Sequence, residues 1–446
     1  MPYRLRFAPS PTGYLHPGNA RTALLNYLMV RKHKGTLLLR LDDTDTARSK
    51  PEFVDAIKED LTWLGIQWDD TDCQSAHMAD YMATKTTLVS SGHLYPCYET
   101  PEELEIMRKT LLARGKPPLY NRRALELSAP EIATYKAEGR IPHWRFKLNR
   151  LPVTWEDAVR GTITLDTQHI SDPVMIRESG DPTYLLCTAV DDIRHSITHI
   201  FRGEDHVTNT AINIQLLEAL GADPSAFSFA HFPLISGALG EGFSKRDGSL
   251  SLRSLRAEGY EPMAINSVLG TIGTSDAMQV FTDMATLASQ FDLSHFGRST
   301  AKFDKANVTL INKKIVHGLS FAEAKKHLVA YPAVDEDFWE RTKANLDKIS
   351  DIKHWVDSCL GTITPCISDS DFLKTAHDLL PPVGWDEETW DTWVMHLKKH
   401  TQRKGKDLFM PIRLALTGEE HGPELKNMFL LIGRKKVSER LMGLRA

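Results

Sequence analysis

Two short stretches carry the side chains best suited to chemistry on a phosphorylated substrate. The first is His16-Pro17-Gly18-Asn19. An imidazole can donate to a phosphate oxygen, Gly18 leaves room for a purine ring against the backbone, and Asn19 can donate while it opens a helix. The second, some two hundred residues on, is Gly242-Phe243-Ser244-Lys245-Arg246-Asp247-Gly248. A glycine-rich loop with a lysine can close over a triphosphate and neutralise charge that develops on transfer. Each signal is weak alone, because a turn histidine is usually a hydrogen-bonded surface residue and an SKR tripeptide is usually a solvated turn. The pair, in this order and on one α/β half, is far more specific.

The elements that must hold these residues follow from periodicity. Residues 4–7 alternate polar and apolar, as a strand does. Ala8-Pro9-Ser10-Pro11-Thr12-Gly13 can continue neither strand nor helix. Ala23, Leu24, Tyr27 and Leu28 recur at helical spacing, which predicts a helix over 19–33; Gly35 stops it, and 36–41 reads as a buried strand. The product is a βαβ unit with a phosphate-sized gap above its helix N-terminus. Pro51 and the stripe Phe53, Ile57, Leu61, Leu64 predict a helix over 51–64, and another follows over 77–91. From Tyr95 to Asp181 prolines interrupt the chain and only short β-like runs emerge, over 144–148, 161–165 and 174–177, which predicts a domain inserted into the nucleotide-binding fold. The main fold resumes with 183–189 and 197–203, a helix over 205–220 and a strand over 229–235, ahead of the loop 236–249. Helical patterns then dominate: 262–272, 283–290, 320–330, 338–346, 352–359, 370–379, 390–399, 411–417 and a last one near Met428.

Composition sets the outer bounds. A chain of 446 residues exceeds one compact core and predicts two to four domains. The net charge of −4 argues against a histone-like polycation, but residues 394–446 hold twelve Lys/Arg against five Asp/Glu. An acidic body with a basic end suits nucleic acid bound in one orientation, and equally a solvated helical face. Cys73, Cys97, Cys187, Cys359 and Cys366 are scattered, odd in number and free of any CxxC pair, a reducing-compartment pattern. With no transmembrane-length apolar run and no leader-like start, a cytoplasmic enzyme with no membrane association is the expectation.

The two motifs resemble the HIGH and KMSKS signatures of class I aminoacyl-tRNA synthetases. Arg6-Phe7-Ala8-Pro9-Ser10-Pro11-Thr12-Gly13 with Leu39-Arg40-Leu41-Asp42-Asp43-Thr44-Asp45 is similar to the bacterial-type glutamyl-tRNA synthetases in particular; glutaminyl enzymes have a glutamate in place of Ser10. The likeness continues through Pro182-Thr183-Tyr184, Asp191-Asp192, Phe201-Arg202-Gly203-Glu204-Asp205-His206 and Gly405-Lys406-Asp407-Leu408-Phe409-Met410-Pro411-Ile412-Arg413. It implies an α/β Rossmann-type catalytic domain (1–92 and 183–240), an inserted acceptor-stem domain (93–182), a helical stem-contact domain with the KMSKS-like loop (241–312) and an all-α anticodon-binding region (313–446, divided near 370). It implies a monomer that takes L-glutamate, ATP with Mg²⁺, and tRNA(Glu), and leaves open whether tRNA(Gln) is also charged.

The resemblance also implies roles. Arg6 and Arg202 would face the γ-carboxylate, Ala8, Ser10 and Tyr184 would seat the amino acid, and Asp42 would take its ammonium group. His16, Asn19, Lys245 and Arg246 would handle the reacting phosphates, with Pro9, Gly13, Gly18, Asp205 and Ser244 completing the ATP site. Two guanidiniums suit a carboxylate, and glutamine would leave them partly unpaired. Lys398, Lys399, Arg403, Lys404, Lys406 and Arg413, with Trp385, Trp390 and Trp393 nearby, would meet RNA, although the tryptophans also suit a core.

Four positions depart from the pattern. Asn19 stands where the class has histidine and can still donate. Asp42 stands where many relatives have glutamate, so the ammonium contact needs a shorter reach or a water. Gly242 replaces the first lysine of the second motif, which implies weaker loop closure or compensation by Arg246. Some relatives bind zinc through C-x-C…Y-x-C, whereas Cys97-Tyr98-Glu99 and Tyr120-Asn121-Arg122 hold one thiol between them; no structural zinc, and no metal ligand set, is expected. Two other readings stand beside the ligase: a truncated paralogue that glutamylates a modified tRNA base, which the long helical back half disfavours, and a catalytically dead tRNA-binding paralogue, which the motif residues disfavour.

Overall fold

The computed structural model describes residues 2–237, 240, 250–382 and 384–446. Gly242, Ser244, Lys245 and Arg246 lie outside the described residues. The chain divides into two compact units, residues 1–257 with 265–305, and residues 258–264 with 306–446.

The first unit opens with the expected βαβ. Strand β1 (Arg4–Phe7) lies parallel to β2 (Thr36–Leu41), Arg4 opposite Thr36 and Phe7 opposite Leu39. Between them, α1 (Pro17–Lys32) begins two residues earlier than its pattern predicts. The reason is its cap: the His16 Nδ1 accepts from the Gly18 and Asn19 N–H groups, and Pro17 takes the first helical position, where a missing N–H costs nothing. Gly35 is required where the chain turns back, since a Cβ there would sit 2.1 Å from the Tyr3 carbonyl oxygen. Helix α2 (Pro51–Trp63), strand β3 (Asp70–Cys73, parallel to β2) and α3 (Met78–Ser90) follow.

The proline-rich stretch contains two helices that its composition hides, α4 (Pro101–Ala113) and α5 (Ala129–Ala137). Thr100 and Ser128 form capping boxes with Glu103 and Glu131, so Pro101 and Pro130 start helices rather than break them. Strands β4 (Leu94–Cys97), β5 (His143–Phe146), β6 (Pro152–Asp157), β7 (Gly161–Asp166) and β8 (Val174–Ile176) make two separate structures. β4-β5-β8 is a small antiparallel sheet. The β6–β7 hairpin instead extends the main sheet, with Asp157 of β6 beside Phe229.

Within 183–189, Thr183 is the N-cap and the rest begins α6 (Tyr184–Arg194), which buries Leu186, Cys187, Ala189, Asp191 and Asp192. Then come β9 (His199–Gly203), α7 (Val207–Ala219) and β10 (Ser228–Phe232). The expected strand over 229–235 is broken at Pro233, and β11 (Ile235–Gly237) pairs elsewhere, with β12 (Ala301–Phe303). Strand order is β7-β6-β10-β9 and β1-β2-β3, the two sets meeting where the Thr198 N–H donates to the Arg4 carbonyl at 2.9 Å. Chain order therefore reverses between β9 and β1. In an open parallel sheet that reversal opens a crevice outside the strand C-termini, the usual ligand position.

The second unit is helical. Its core gathers Trp339, Trp355, Trp390, Trp393, Leu408 and Phe429 from Glu336–Thr342, Ile352–Cys359, Thr389–Thr401, Lys406–Thr417 and Leu425–Leu441. Trp390 and Trp393 are core residues, and Trp385 stacks on Phe429 with centroids 3.9 Å apart, so these rings pack inward rather than serving as a base-stacking platform. The helix expected to open at Pro411 starts at Lys406. Pro411 cannot bond the Asp407 carbonyl, and Arg403 Nη1 donates to it instead at 3.4 Å. No described helix is long and apolar enough to cross a membrane.

Candidate active site

A cavity of about 580 Å³ opens at the β9/β1 reversal. Its wall holds Arg6, Ala8, Pro9, Ser10, His16, Gly18, Asn19, Asp42, Tyr184, Arg202 and Asp205, all of them residues singled out from the sequence. Gly13 is buried in the turn and is not on the wall. Arg6 leaves the end of β1, Arg202 the end of β9, Tyr184 the first turn of α6, and His16–Asn19 the start of α1. The Asp42 N–H donates to the Pro9 carbonyl at 3.1 Å, which ties the end of β2 to the turn after β1.

At the α1 end, His16 is part of the helix terminus. With Nδ1 accepting from two backbone N–H groups, the ring proton sits on Nε2, a donor for an anion at a positive helix end. Gly18 has a sharper reason to be glycine than space for a purine. A Cβ there would meet His16 Cε1 at 2.8 Å and Nδ1 at 2.9 Å, so any side chain evicts the imidazole from its cap. The Asn19 amide oxygen is buried with no hydrogen-bond partner among the described residues. Arg21, two residues further and not singled out from the sequence, donates to the Pro233 and Ile272 carbonyls at 2.6 and 2.8 Å. Burial, opposed by Glu204, brings its pKa down to about 10.

At the β1/β9 end, buried charges form a network. Arg6 binds Asp192 in bidentate fashion, Nε at 3.0 Å and Nη2 at 3.3 Å. Arg40, fully buried on β2, gives Nη1 to the same Asp192 at 2.9 Å and holds Asp42 through Nε at 2.8 Å and Nη2 at 3.3 Å. Burial opposes the charge on Asp192, yet Arg6 and Arg40 keep its carboxyl below the usual range. Asp42 is pushed the other way, burial outweighing Arg40. Asp42 therefore lines the cavity as half of an ion pair, with its remaining lone pairs the ones open to an ammonium group. Arg40, Asp191 and Asp192 sit in motifs the sequence offered but with no role read for them; the packing of α6 against β1 and β2 lets Asp192 orient Arg6 and Arg40 orient Asp42, while Asp191 accepts from Gln74 and Tyr81.

Arg202 is different. It is 6% exposed, and no carboxylate lies within ion-pair distance of it among the described residues. Nη2 donates to Thr210 Oγ1 at 2.7 Å, Nε lies 3.4 Å from His231 Nε2, and Nη1 lies 3.4 Å from the Tyr184 hydroxyl at the cavity wall. Burial pulls its pKa below the ordinary arginine value, as expected for a cation without a fixed counter-charge. His206, also on the wall, is pushed down to about 4 by burial and then by Arg202, which leaves it neutral near pH 7.

Two further groups complete the placement of expected residues. Cys97, Glu99 and His143 bring ligand-type atoms within 4.8 Å of one another. His143 escaped a search for thiols because β4–β5 pairing, Cys97 opposite His143, is what delivers it. The cluster is partly spent internally: Tyr120 donates to Glu99 Oε1 at 2.7 Å, and the Arg145 Nε–H points at His143 Nε2 at 3.2 Å, placing a cation where an ion's ligand would have to aim. Burial raises the Cys97 thiol to about 12, further from the thiolate that zinc needs. In the second unit, Lys398, Lys399, Lys404 and Lys406 are exposed. Arg403 instead pairs with Asp369 at 2.7 Å, and Arg413 is half-buried, donating to the Pro423 carbonyl at 2.8 Å.

Known proteins match this arrangement along the whole chain. The family described as "tRNA synthetases class I (E and Q), catalytic domain" matches residues 3–310, and "Anticodon binding domain" matches residues 368–444. A glutamate–tRNA ligase 1 of Parvibaculum lavamentivorans is 48% identical over 443 residues, covering 99% of this chain and 98% of that protein. A glutamate–tRNA ligase 2 of Methylobacterium is 49% identical over 442 residues, with 98% of each covered. Among solved structures, a glutamate tRNA ligase of Elizabethkingia meningosepticum in complex with its amino acid superposes with a TM-score of 0.84 at 26% identity, covering 99% of this chain and 98% of that one. With a catalytic-domain match over more than half of its length and near-half identity from end to end, the chain belongs to the class I aminoacyl-tRNA synthetases of the glutamate and glutamine family.

Proposed function

We propose that the chain ligates L-glutamate to tRNA(Glu) in two steps, as a monomeric translation enzyme of the cytoplasm. The α-carboxylate oxygen of glutamate attacks the α-phosphorus of ATP, the bond to pyrophosphate breaks, and glutamyl-adenylate forms. A ribose hydroxyl at the tRNA 3′ end then attacks the activated carbonyl, and AMP leaves. The reaction needs no protein nucleophile, because both steps proceed by positioning and charge stabilisation.

The observation that carries this reading is Arg202, a buried guanidinium without a carboxylate partner among the described residues, facing the cavity beside Tyr184. An anionic side chain placed there completes its coordination, with Arg6 adding a second positive edge. Glutamine cannot, and leaves a desolvated cation unpaired, the strong form of rejection. Ala8, Ser10 and Tyr184 seat the amino acid and Asp42 receives its ammonium group. The His16 Nε2–H and the Asn19 amide meet the phosphates, and Pro9, Gly13, Gly18 and Asp205 shape the nucleotide site. Lys245 and Arg246, with Ser244, serve the phosphates. ATP would be bound as its Mg²⁺ complex, which would offset phosphate charge. The insert serves the acceptor stem, the helical second unit the anticodon end, and zinc is not required. Exchange of pyrophosphate into ATP, measured with glutamate and tRNA(Glu) present, tests the reading. Glutamate-dependent exchange is expected, and its absence with cognate tRNA would sink the assignment.

A further inference from the structure

Behind Arg202, away from the cavity, lies a chain of buried polar groups that the reaction itself does not use. His231 of β10 is fully buried, and its Nδ1 is 2.5 Å from Asp157 Oδ2. Its Nε2 is 2.8 Å from Thr210 Oγ1 and 3.4 Å from Arg202 Nε. Thr210 Oγ1 in turn accepts from Arg202 Nη2 at 2.7 Å. Asp157, at the end of β6, is itself rigidly held. Its Oδ1 accepts from the Val159, Arg160 and His231 backbone N–H groups at 3.1, 3.0 and 3.2 Å, which leaves Oδ2 for the imidazole.

The hydrogen bonds fix the tautomer of the ring, which burial keeps neutral. The carboxylate can only accept, so the imidazole proton lies on Nδ1. Nε2 is then a bare lone pair facing the Arg202 Nε–H and the Thr210 hydroxyl, while Thr210 Oγ1 accepts from Nη2 and has Nε2 at 2.8 Å and the His206 carbonyl at 3.3 Å as acceptors for its own proton. Two edges of the guanidinium are thus fixed from behind, and Nη1 is the edge presented at the cavity. A carboxylate that sets a histidine tautomer is a recurring device wherever one ring nitrogen must stay an acceptor. A proton on Nε2 would point at a guanidinium and push it away.

We propose that Asp157 and His231 are positioning residues that orient Arg202 for the amino-acid substrate's side-chain carboxylate. The inference rests on the reading of Arg202 as a glutamate contact. Neither residue touches substrate, so their loss acts on glutamate and not on ATP.

The test is steady-state pyrophosphate exchange with the full-length chain and tRNA(Glu), titrating glutamate and ATP separately. Asp157→Asn keeps size but offers an N–H to Nδ1 and moves the ring proton to Nε2. His231→Leu removes the acceptor, and His231→Gln restores one through its amide oxygen. Asp157→Asn and His231→Leu are expected to raise the glutamate KM about tenfold or more at an unchanged ATP KM, and His231→Gln to recover most of the His231→Leu loss. A glutamate KM within twofold of the parent for Asp157→Asn, or equal rises in both KM values, would overturn the proposal. Arg202→Lys separates this from the underlying reading. A raised glutamate KM there with no effect of Asp157→Asn removes only the positioning role, whereas no effect of Arg202→Lys removes both. Should a variant not fold, ¹⁵N-histidine NMR of the unaltered protein decides: protonated Nδ1 and bare Nε2 at His231 are expected, and the opposite tautomer contradicts the proposal.

Discussion

Gly18→Ala is the substitution whose consequences the geometry specifies most closely. The new Cβ would lie 2.8 Å from His16 Cε1 and 2.9 Å from Nδ1. That is about 0.7 Å inside the ~3.5 Å at which carbon atoms begin to attract. The imidazole is the part that can move, and rotating it away gives up the bonds from the Gly18 and Asn19 N–H groups. Loss of the cap costs roughly 0.5–2 kcal/mol, while alanine in the first helical turn returns about 0.5–1 kcal/mol relative to glycine. Net stability therefore falls by about 1.5 kcal/mol at most, a melting shift of no more than a few degrees. Catalysis has no such compensation. A displaced His16 no longer delivers its Nε2–H to a phosphate, and a hydrogen bond to a charged group contributes roughly 1.5–3 kcal/mol, or about 10- to 100-fold in rate. Pyrophosphate exchange should show kcat/KM for ATP down by that factor, with the glutamate KM little changed and melting nearly unchanged. A Gly18→Ala enzyme within twofold of the parent for ATP would refute the role given to the capped histidine.

Three further outcomes follow from other parts of the molecule. Replacing Lys398, Lys399, Lys404 and Lys406 by glutamine should weaken tRNA(Glu) binding and make log K against log salt shallower by roughly three, with glutamate and ATP constants intact; an unchanged slope would remove these residues from the RNA interface. Asp72 receives His77 Nε2 at 2.9 Å and His195 Nε2 at 2.6 Å. Burial opposes its charge, but those bonds hold its carboxyl below the ordinary value. Its stabilisation is therefore present above about pH 4 and lost as pH falls through the lowered folded value. Melting curves of the parent and Asp72→Asn should separate near pH 6 and converge towards pH 3; a constant gap would contradict this. Finally, purified protein should carry no stoichiometric zinc and melt identically with or without a chelator, whereas one zinc per chain would show that Cys97, Glu99 and His143 form a working site.

What could be read without coordinates was local. Strands β1 and β2, helix α2 and the helix Ile352–Cys359 have ends set by nearby residues, and their patterns are sufficient. Proline misled in both directions. Pro101 and Pro130 sit at helix starts behind Thr100 and Ser128, Pro411 lies inside a helix because Arg403 serves the carbonyl it orphans, and Pro233 divides one apolar run between two sheets. At the site, motif residues around His16, Arg6 and Arg202 were legible because chemistry restricts their types. Their supports were not. Asp192 reaches Arg6 across 186 positions, and His143 faces Cys97 only through strand pairing. Asp157 and His231 lie 74 positions apart on strands whose parallel pairing no single-sequence pattern announces.

The product formed at the tRNA 3′ end decides the assignment of the pocket. Purified tRNA(Glu) and tRNA(Gln) incubated with enzyme, ATP and either glutamate or glutamine, then digested and analysed by mass, should yield glutamyl-adenosine from tRNA(Glu) and no glutaminyl-adenosine from either tRNA. Glutamyl-adenosine from tRNA(Gln) as well would define a broader tRNA range with the same amino-acid pocket. Glutaminyl-adenosine, or no aminoacyl-adenosine at all, would contradict the assignment of Arg202 and its cavity to glutamate.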